Sequence, residues 1–282
     1  MVAKVIDGKQ IAQSLLDDLA QDIAKEVDTV KLAVILVGND EASQIYVRNK
    51  KLAAQKVGIE CDVYCLDEKI TDAEVLTLIE KLNRDFDVHG IIVQLPLPEH
   101  LNKTRILEAI RMDKDVDAFK QIMSGALWQG KAPWASATPA GVLYLLKTVY
   151  DNLSGLHAVV IGRSNIVGKP MAALLLQENC TVTIAHSKSV DLPDIVRTAD
   201  IIVAACGCPK LVKKEWVKEG AVVIDVGISK CDGKLCGDVD FDEVSTVASA
   251  ITPVPGGVGP MTVACLLKNT YKAYKEMNDI NE

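Results

Sequence analysis

Apolar residues recur at helical spacing from residue 9 to 27, at Ile11, Leu15, Leu16, Leu19 and Ile23, and residues 31–38, KLAVILVG, then run almost unbroken. A period of about 3.6 residues predicts an amphipathic helix, and a short continuous apolar run predicts a strand buried on both faces. The alternation repeats. Residues 42–57 read as a helix closed by Gly58, residues 59–66 as a strand, and residues 70–86 as a helix opened by Thr71. Glu74 stands three positions after Thr71, the spacing of a capping box. A further strand starts near Gly90, in HGIIVQLPLP, and ends at prolines that cannot continue a ladder.

Between residues 113 and 139 the periodicity weakens, and Gly125, Gly130, Pro133 and Pro139 follow a run of charges, which predicts a loop leading to a domain boundary. A second series begins at His157. It reads as strand AVVIG, a helix over 168–178, strand TVTIAHS, a helix around 193–198, strand DIIVAAC and strand AVVIDVG over 221–227. TPVPGGVGP then breaks the chain before a last helix over 261–277, which returns to the first domain in this reading. The predicted fold class is α/β with two domains: an N-terminal α/β catalytic domain over 1–138 plus 262–282, and a Rossmann-like doubly wound domain over 139–261. Two domains imply a cleft.

Composition narrows the function classes. At 282 residues, with 49% hydrophobic and 24% charged residues, nothing argues for disorder. A formal charge of −7 lacks the basic footprint that a nucleic-acid backbone requires, so nucleic acid is excluded as a partner. No pair among the eight cysteines has CxxC spacing and only four histidines are present, so the reading is no metal, free thiols and no disulfide framework in a reducing, cytoplasmic compartment. Asp7, Asp17 and Asp18 do not suit a transit peptide, and no apolar run approaches the roughly 18 residues of a membrane span.

The first candidate for chemistry is AVVIGRSNIVGKP, residues 158–170. A strand, a glycine-bearing turn and a helix start together present backbone N–H groups to a pyrophosphate, although the same sequence also suits a plain strand-to-helix turn. Gly162 and Gly168 are the glycines, with Ser164 in the place of the middle one. Sites specific for NAD place a carboxylate about 20 residues on, to hold the ribose 2′-hydroxyl. Here the sequence is Ala185-His186-Ser187-Lys188, and Arg163, Ser164, Ser187 and Lys188 offer donors to a 2′-phosphate. That favours NADP.

The second candidate is Tyr46 and Lys50, four apart and so one turn apart on a helix. A desolvated lysine loses affinity for its proton and can shuttle protons near neutral pH, yet an exposed Tyr/Lys pair is also ordinary. Gln94 follows the apolar GIIV and is presented at the carboxyl end of a strand, where open α/β sheets bind ligands; a polar strand cap is the alternative. Asp117, in KDVDAF, is placed either to accept hydrogen bonds from a substrate or to cap a turn.

SxxYVxxK (Ser43, Tyr46, Val47, Lys50), GIIVQLPLP, KDVD, VVIGRSNIVGKP, HSKS, DVGI and TPVPGGVGPMT, in this order along nearly the whole chain, resemble the bifunctional methylenetetrahydrofolate dehydrogenase/cyclohydrolase family. The resemblance implies NADP-dependent oxidation of 5,10-methylenetetrahydrofolate and hydrolysis of the methenyl product to 10-formyltetrahydrofolate, within one-carbon metabolism and purine biosynthesis. It makes Lys50 the central catalytic residue, Tyr46 a substrate-orienting ring, Gln94 the holder of Lys50 and Asp117 the pterin contact. Gly162, Arg163, Ser164, Ser187 and Ile228 become cofactor contacts, and Val93, Leu95, Pro255, Gly256, Gly257, Val258 and Gly259 line the substrate cleft. A homodimer is implied as well.

The chain departs from that family around Asp117. Ala118 stands where the family has glycine, KQIMSGAL replaces a segment with a histidine-proline and an asparagine, and the PCTP element reads Ser136-Ala137-Thr138-Pro139. If the family glycine has a positive φ, Ala118 carries a backbone cost.

Overall fold

The computed structural model describes residues 2–279 apart from residue 232. Strand β1 (Lys4–Val5) and helix α1 (Gly8–Ile23) lead into β2 (Lys31–Val37), α2 (Glu41–Val57), β3 (Glu60–Leu66), α3 (Asp72–Arg84) and β4 (Gly90–Val93). Helices α4 (Lys103–Ala109), α5 (Gln121–Trp128) and α6 (Ala137–Lys147) follow. The chain continues through β5 (His157–Ile161), α7 (Gly168–Gln177), β6 (Thr181–Ala185), α8 (Leu192–Arg197), β7 (Ile201–Ala204) and β8 (Val222–Asp225). A hairpin of β9 (Ser229–Cys231) and β10 (Lys234–Cys236) precedes α9 (Phe241–Val244), β11 (Ala250–Ile251) and α10 (Val258–Asp279).

Two compact units result. One contains residues 14–126 and 132–137 together with the chain from residue 263 on, and is built on a parallel sheet ordered β3-β2-β4. Six of the seven residues of β2 are buried, as its continuous apolar run requires of a strand with neighbours on both sides and cover on both faces. Helix α2 starts at Asp40, whose side chain accepts the Ser43 N–H, and stops at Gly58, left-handed at φ 85°. The capping box at α3 is present in full: Glu74 N–H donates to Thr71 Oγ1 and Thr71 N–H to Glu74 Oε2.

The other unit contains residues up to 13, 127–131 and 138–262, and is built on a parallel sheet ordered β1-β11-β8-β7-β5-β6. The return of α10 to the three-stranded unit follows the expected path. The N-terminal segment does not: Lys4 and Val5 pair with Ala250 and Ile251, so residues 2–13 group with the six-stranded unit and not with the domain the sequence reading gave them. Two residues are too short a run to show which sheet they will join.

Residues 113–139 also differ from the expected loop. They hold a 3-10 turn at Met112–Lys114, helix α5 and the start of α6. QIMSGALW is apolar nearly throughout, so it shows no polar face from which to read a period. The hairpin brings the Cα atoms of Cys231 and Cys236 to 5.9 Å and a disulfide joins them, against the expectation of free thiols; strand pairing supplied the proximity that cysteine spacing did not signal. No helix among the described residues is long and apolar enough to cross a membrane.

Candidate active site

In the three-stranded unit, the Gln94 N–H donates to the Ile35 carbonyl at 2.8 Å, extending β4 by one residue and fixing Gln94 at its carboxyl end, between buried Val93 and half-buried Leu95. Lys50 Nζ donates to Gln94 Oε1 at 3.0 Å, and Gln94 Nε2 donates to the Leu95 carbonyl at 2.6 Å. The amide is thus oriented from one end and offers its oxygen to the ammonium at the other. Tyr46, one turn earlier on α2, is 38% exposed, with its hydroxyl pushed up by burial. Burial also pushes the Asp117 carboxyl up, and the Lys50 charge acts against that shift, which puts the two groups within electrostatic reach. The structure therefore brings Lys50 and Gln94 together, with Tyr46 one turn from Lys50 on α2 and Asp117 within electrostatic reach of Lys50.

The segment carrying Asp117 has supports that sequence reasoning missed. Lys114 is 0% exposed, and its Nζ donates to the carbonyls of Asp85 at 2.6 Å and Leu82 at 3.0 Å, satisfying the end of α3. Asp115 is buried, its Oδ2 accepts the Lys120 N–H at 2.9 Å, and its carboxyl is pushed up to about 6, mainly by burial. The Asp115 carbonyl accepts Trp134 Nε1–H at 2.8 Å, while Asn269 Nδ2 donates to the Val116 and Ala135 carbonyls, each at 2.9 Å. Ala118 has φ 55°, so the position does require the left-handed conformation that favours glycine. Only the KDVD motif pointed here; nothing in the sequence ties Asn269 to Val116, 153 residues away.

In the six-stranded unit, Gly162 follows β5 at φ 129°, and a Cβ there would fall 2.1 Å from the Ala205 carbonyl oxygen. A Cβ on Gly168 would fall 2.2 Å from the Gly162 oxygen, so the turn closes backbone on backbone at both glycines. Ser164 Oγ accepts the Val167 and Gly168 N–H groups at 3.1 and 3.3 Å, capping the entry to α7. A cavity of about 260 Å³ opens there, lined by Gly162, Arg163, Ser164, Ser187, Cys206 and Cys208 among others. No carboxylate lines it. A glycine turn, a capped helix start and an Arg/Ser lining fit the phosphates of a dinucleotide.

Two buried aspartates frame this region, and neither was singled out in the sequence. Asp225 accepts the N–H groups of Gly227, Asp238 and Val239 at 2.9–3.0 Å, and burial pushes its carboxyl up to about 6. Asp238 Oδ2 accepts the Cys206 and Gly207 N–H groups at 2.7 and 2.9 Å. The available signal was an acidic residue ending the apolar run AVVID. Ile228 is 47% exposed after β8 and does not line the cavity. The segment Pro255, Gly256, Gly257, Val258 and Gly259 forms its own turn into α10, with Gly256 at φ 104° and its carbonyl accepting the Lys9 N–H at 3.0 Å. Among the described residues, no group of three or more His, Cys, Asp or Glu side chains is arranged to hold a metal ion.

Two family models match this chain: the catalytic domain of tetrahydrofolate dehydrogenase/cyclohydrolase over residues 6–117, and the NAD(P)-binding domain of the same enzyme over residues 136–278. The chain belongs to the tetrahydrofolate dehydrogenase/cyclohydrolase family. It is 49% identical to the bifunctional protein FolD of Listeria innocua, over 99% of this chain and 100% of that one. The crystal structure of the bifunctional FolD enzyme of Campylobacter jejuni matches with TM-score 0.94 and 48% identity, over 97% of this chain and 99% of that one. The Trypanosoma brucei family member, solved with NADP cofactor and inhibitor, matches with TM-score 0.93 and 39% identity, over 98% of each chain.

Proposed function

We propose that this chain oxidises 5,10-methylenetetrahydrofolate to the 5,10-methenyl form with NADP and hydrolyses that product to 10-formyltetrahydrofolate. The Lys50–Gln94 contact at the end of β4, with Asp117 in electrostatic reach, carries this reading. Hydrolysis of the methenyl carbon requires an attacking water to lose a proton and a ring nitrogen to gain one. Lys50 performs both transfers, and Gln94 fixes its Nζ through one hydrogen bond, leaving its remaining positions for substrate and water. Asp117 accepts from the pterin and Tyr46 orients its ring, and family resemblance also assigns substrate contacts to Val93, Leu95 and the segment Pro255 to Gly259.

Bound NADP would supply the hydride acceptor. Gly162 would admit its pyrophosphate to the backbone, Arg163 and Ser187 would donate to the 2′-phosphate, Ser164 holds the helix entry in shape, and family resemblance assigns Ile228, outside the cavity, to the adenosine side. Arg163 supplies a positive charge where no carboxylate stands to repel a phosphate. We also assign a cytoplasmic homodimer supplying one-carbon units to purine biosynthesis; family resemblance supports the dimer, and six of the eight cysteines are free, as suits a reducing compartment, against the one hairpin disulfide.

The test is a side-by-side assay of purified protein with methylenetetrahydrofolate and either NADP or NAD, followed by methenyltetrahydrofolate hydrolysis without cofactor. NADP should give at least tenfold higher kcat/KM. Equal or better use of NAD would refute the 2′-phosphate reading, and absent hydrolysis would remove the second activity.

A further inference from the structure

Cys206-Gly207-Cys208 follows β7, and both cysteines are among the residues that line the cavity with Arg163 and Ser187. We propose that Cys208 is a thiol modification site for small anionic disulfides, and that an adduct there and the dinucleotide exclude each other. The competition rests on reading this cavity as the cofactor site.

Exposure selects the residue. Among the free cysteines, Cys61, Cys180 and Cys265 are buried and Cys206 is partly so, leaving Cys65 and Cys208 exposed. Cys65 is on β3 in the three-stranded unit, whereas Cys208 borders a cavity sized for a small molecule. Charge selects the reagent. The cavity lining includes Arg163 and His186 and no carboxylate, and Lys188 and Lys210 are close by in the chain, so an anionic disulfide is attracted by the same features that suit phosphates.

The neighbouring thiol does not compete. Cys206 is pushed up to about 12 by burial and then by the charge of Asp238, so it stays protonated at neutral pH and is a poor nucleophile. In the exchange, the Cys208 thiolate attacks one sulfur of RSSR, the Cys208–SR bond forms, the RS–SR bond breaks, and the released thiolate takes up the proton Cys208 lost. The net change is Cys208–SH plus RSSR to Cys208–S–SR plus RSH, with RSSR as the oxidant. Because Cys206 does not attack the new bond, the mixed disulfide persists in the cavity until an external thiol removes it.

The test treats reduced full-length protein with oxidised glutathione, or with cationic cystamine, in the presence and absence of NADP. Adducts are mapped by peptide mass and NADP affinity is titrated before and after treatment. Glutathione should add to Cys208 several-fold faster than cystamine, with no such preference at Cys65. Saturating NADP should slow labelling of Cys208 at least tenfold, the adduct should weaken NADP binding at least tenfold, and dithiothreitol should restore it. Cys65→Ser should be as sensitive as the parent, and Cys208→Ser should keep its own untreated affinity after exposure. An adduct that leaves NADP affinity unchanged, labelling indifferent to NADP, or loss of two hydrogens across Cys206 and Cys208 in place of an adduct would overturn the proposal. Failure of untreated protein to bind NADP would remove the cofactor reading instead, while the preference for Cys208 and for the anionic reagent would still be decided by the maps.

Discussion

The two units build their sites by opposite means. The cavity beside α7 depends on backbone: Gly162 and Gly168 close a turn in which no added methyl fits, and Ile161 to Ser164 reach the cavity from one contiguous passage, joined by residues that follow β6 and β7. The cluster at the end of β4 depends on side chains, with Lys50 and Gln94 drawn together from 44 residues apart and Asp117 delivered by a separate segment. A backbone site is broken by adding atoms and a side-chain site by removing them.

Removing the Lys50 ammonium tests this hardest. Lys50→Met should lower methenyltetrahydrofolate hydrolysis by about 10²–10⁴-fold, the usual worth of a positioned proton-transfer group. NADP affinity, measured by titration, should stay within about twofold; a parallel loss of both would break the division between the two sites. Adding one methyl comes next. Gly162→Ala combines a positive φ with a Cβ 2.1 Å from a carbonyl oxygen, and should cost roughly 2–4 kcal/mol in denaturant unfolding together with at least tenfold in NADP affinity. Wild-type affinity in that variant would show that the turn relaxes easily and that backbone closure is not its basis.

How far each site could be read follows from the same contrast. The turn is contiguous, so Gly162, Arg163 and Ser164 were visible as a pattern, and the lack of a carboxylate after β6 was as informative as its presence would have been. Lys50 and Gln94 were visible only as residues on separate elements, and family resemblance joined them. The supports of Asp117 were not visible at all, since Lys114, Trp134 and Asn269 act by reaching backbone carbonyls, which any sequence supplies. Helix α5 escaped because its apolar residues leave no polar stripe, and β1 because pairing, not composition, determines its sheet.

Smaller effects probe those supports. The Asp115 carboxyl lies near 6 in the fold against 3.8 in a model peptide, so the native state holds a proton that the unfolded chain releases. Its stabilising contribution is complete below about 3.8 and is lost as pH rises through about 6. Unfolding free energy should therefore fall from pH 5 to pH 7 by on the order of 1 kcal/mol from this group. Asp115→Asn should remove that share and keep the same-signed share of Asp225, also near 6; an unchanged pH slope would reject the assignment. The smallest change is Ala118→Gly, which relieves a left-handed alanine at the cost of a freer unfolded chain and should stabilise by under about 1 kcal/mol, read as a higher unfolding midpoint.

The pairing of Lys4 and Val5 with Ala250 and Ile251 bears on how this protein can be divided. A fragment beginning after α6 would retain the glycine turn and its cavity but leave the outer edge of β11 bare, a ready template for another chain to add a strand. The N-terminal peptide thus covers the edge of the sheet it completes. Biosensor designs that borrow the dinucleotide cavity should splice residues 1–13 back onto the fragment, or supply them in trans, before judging whether it is soluble.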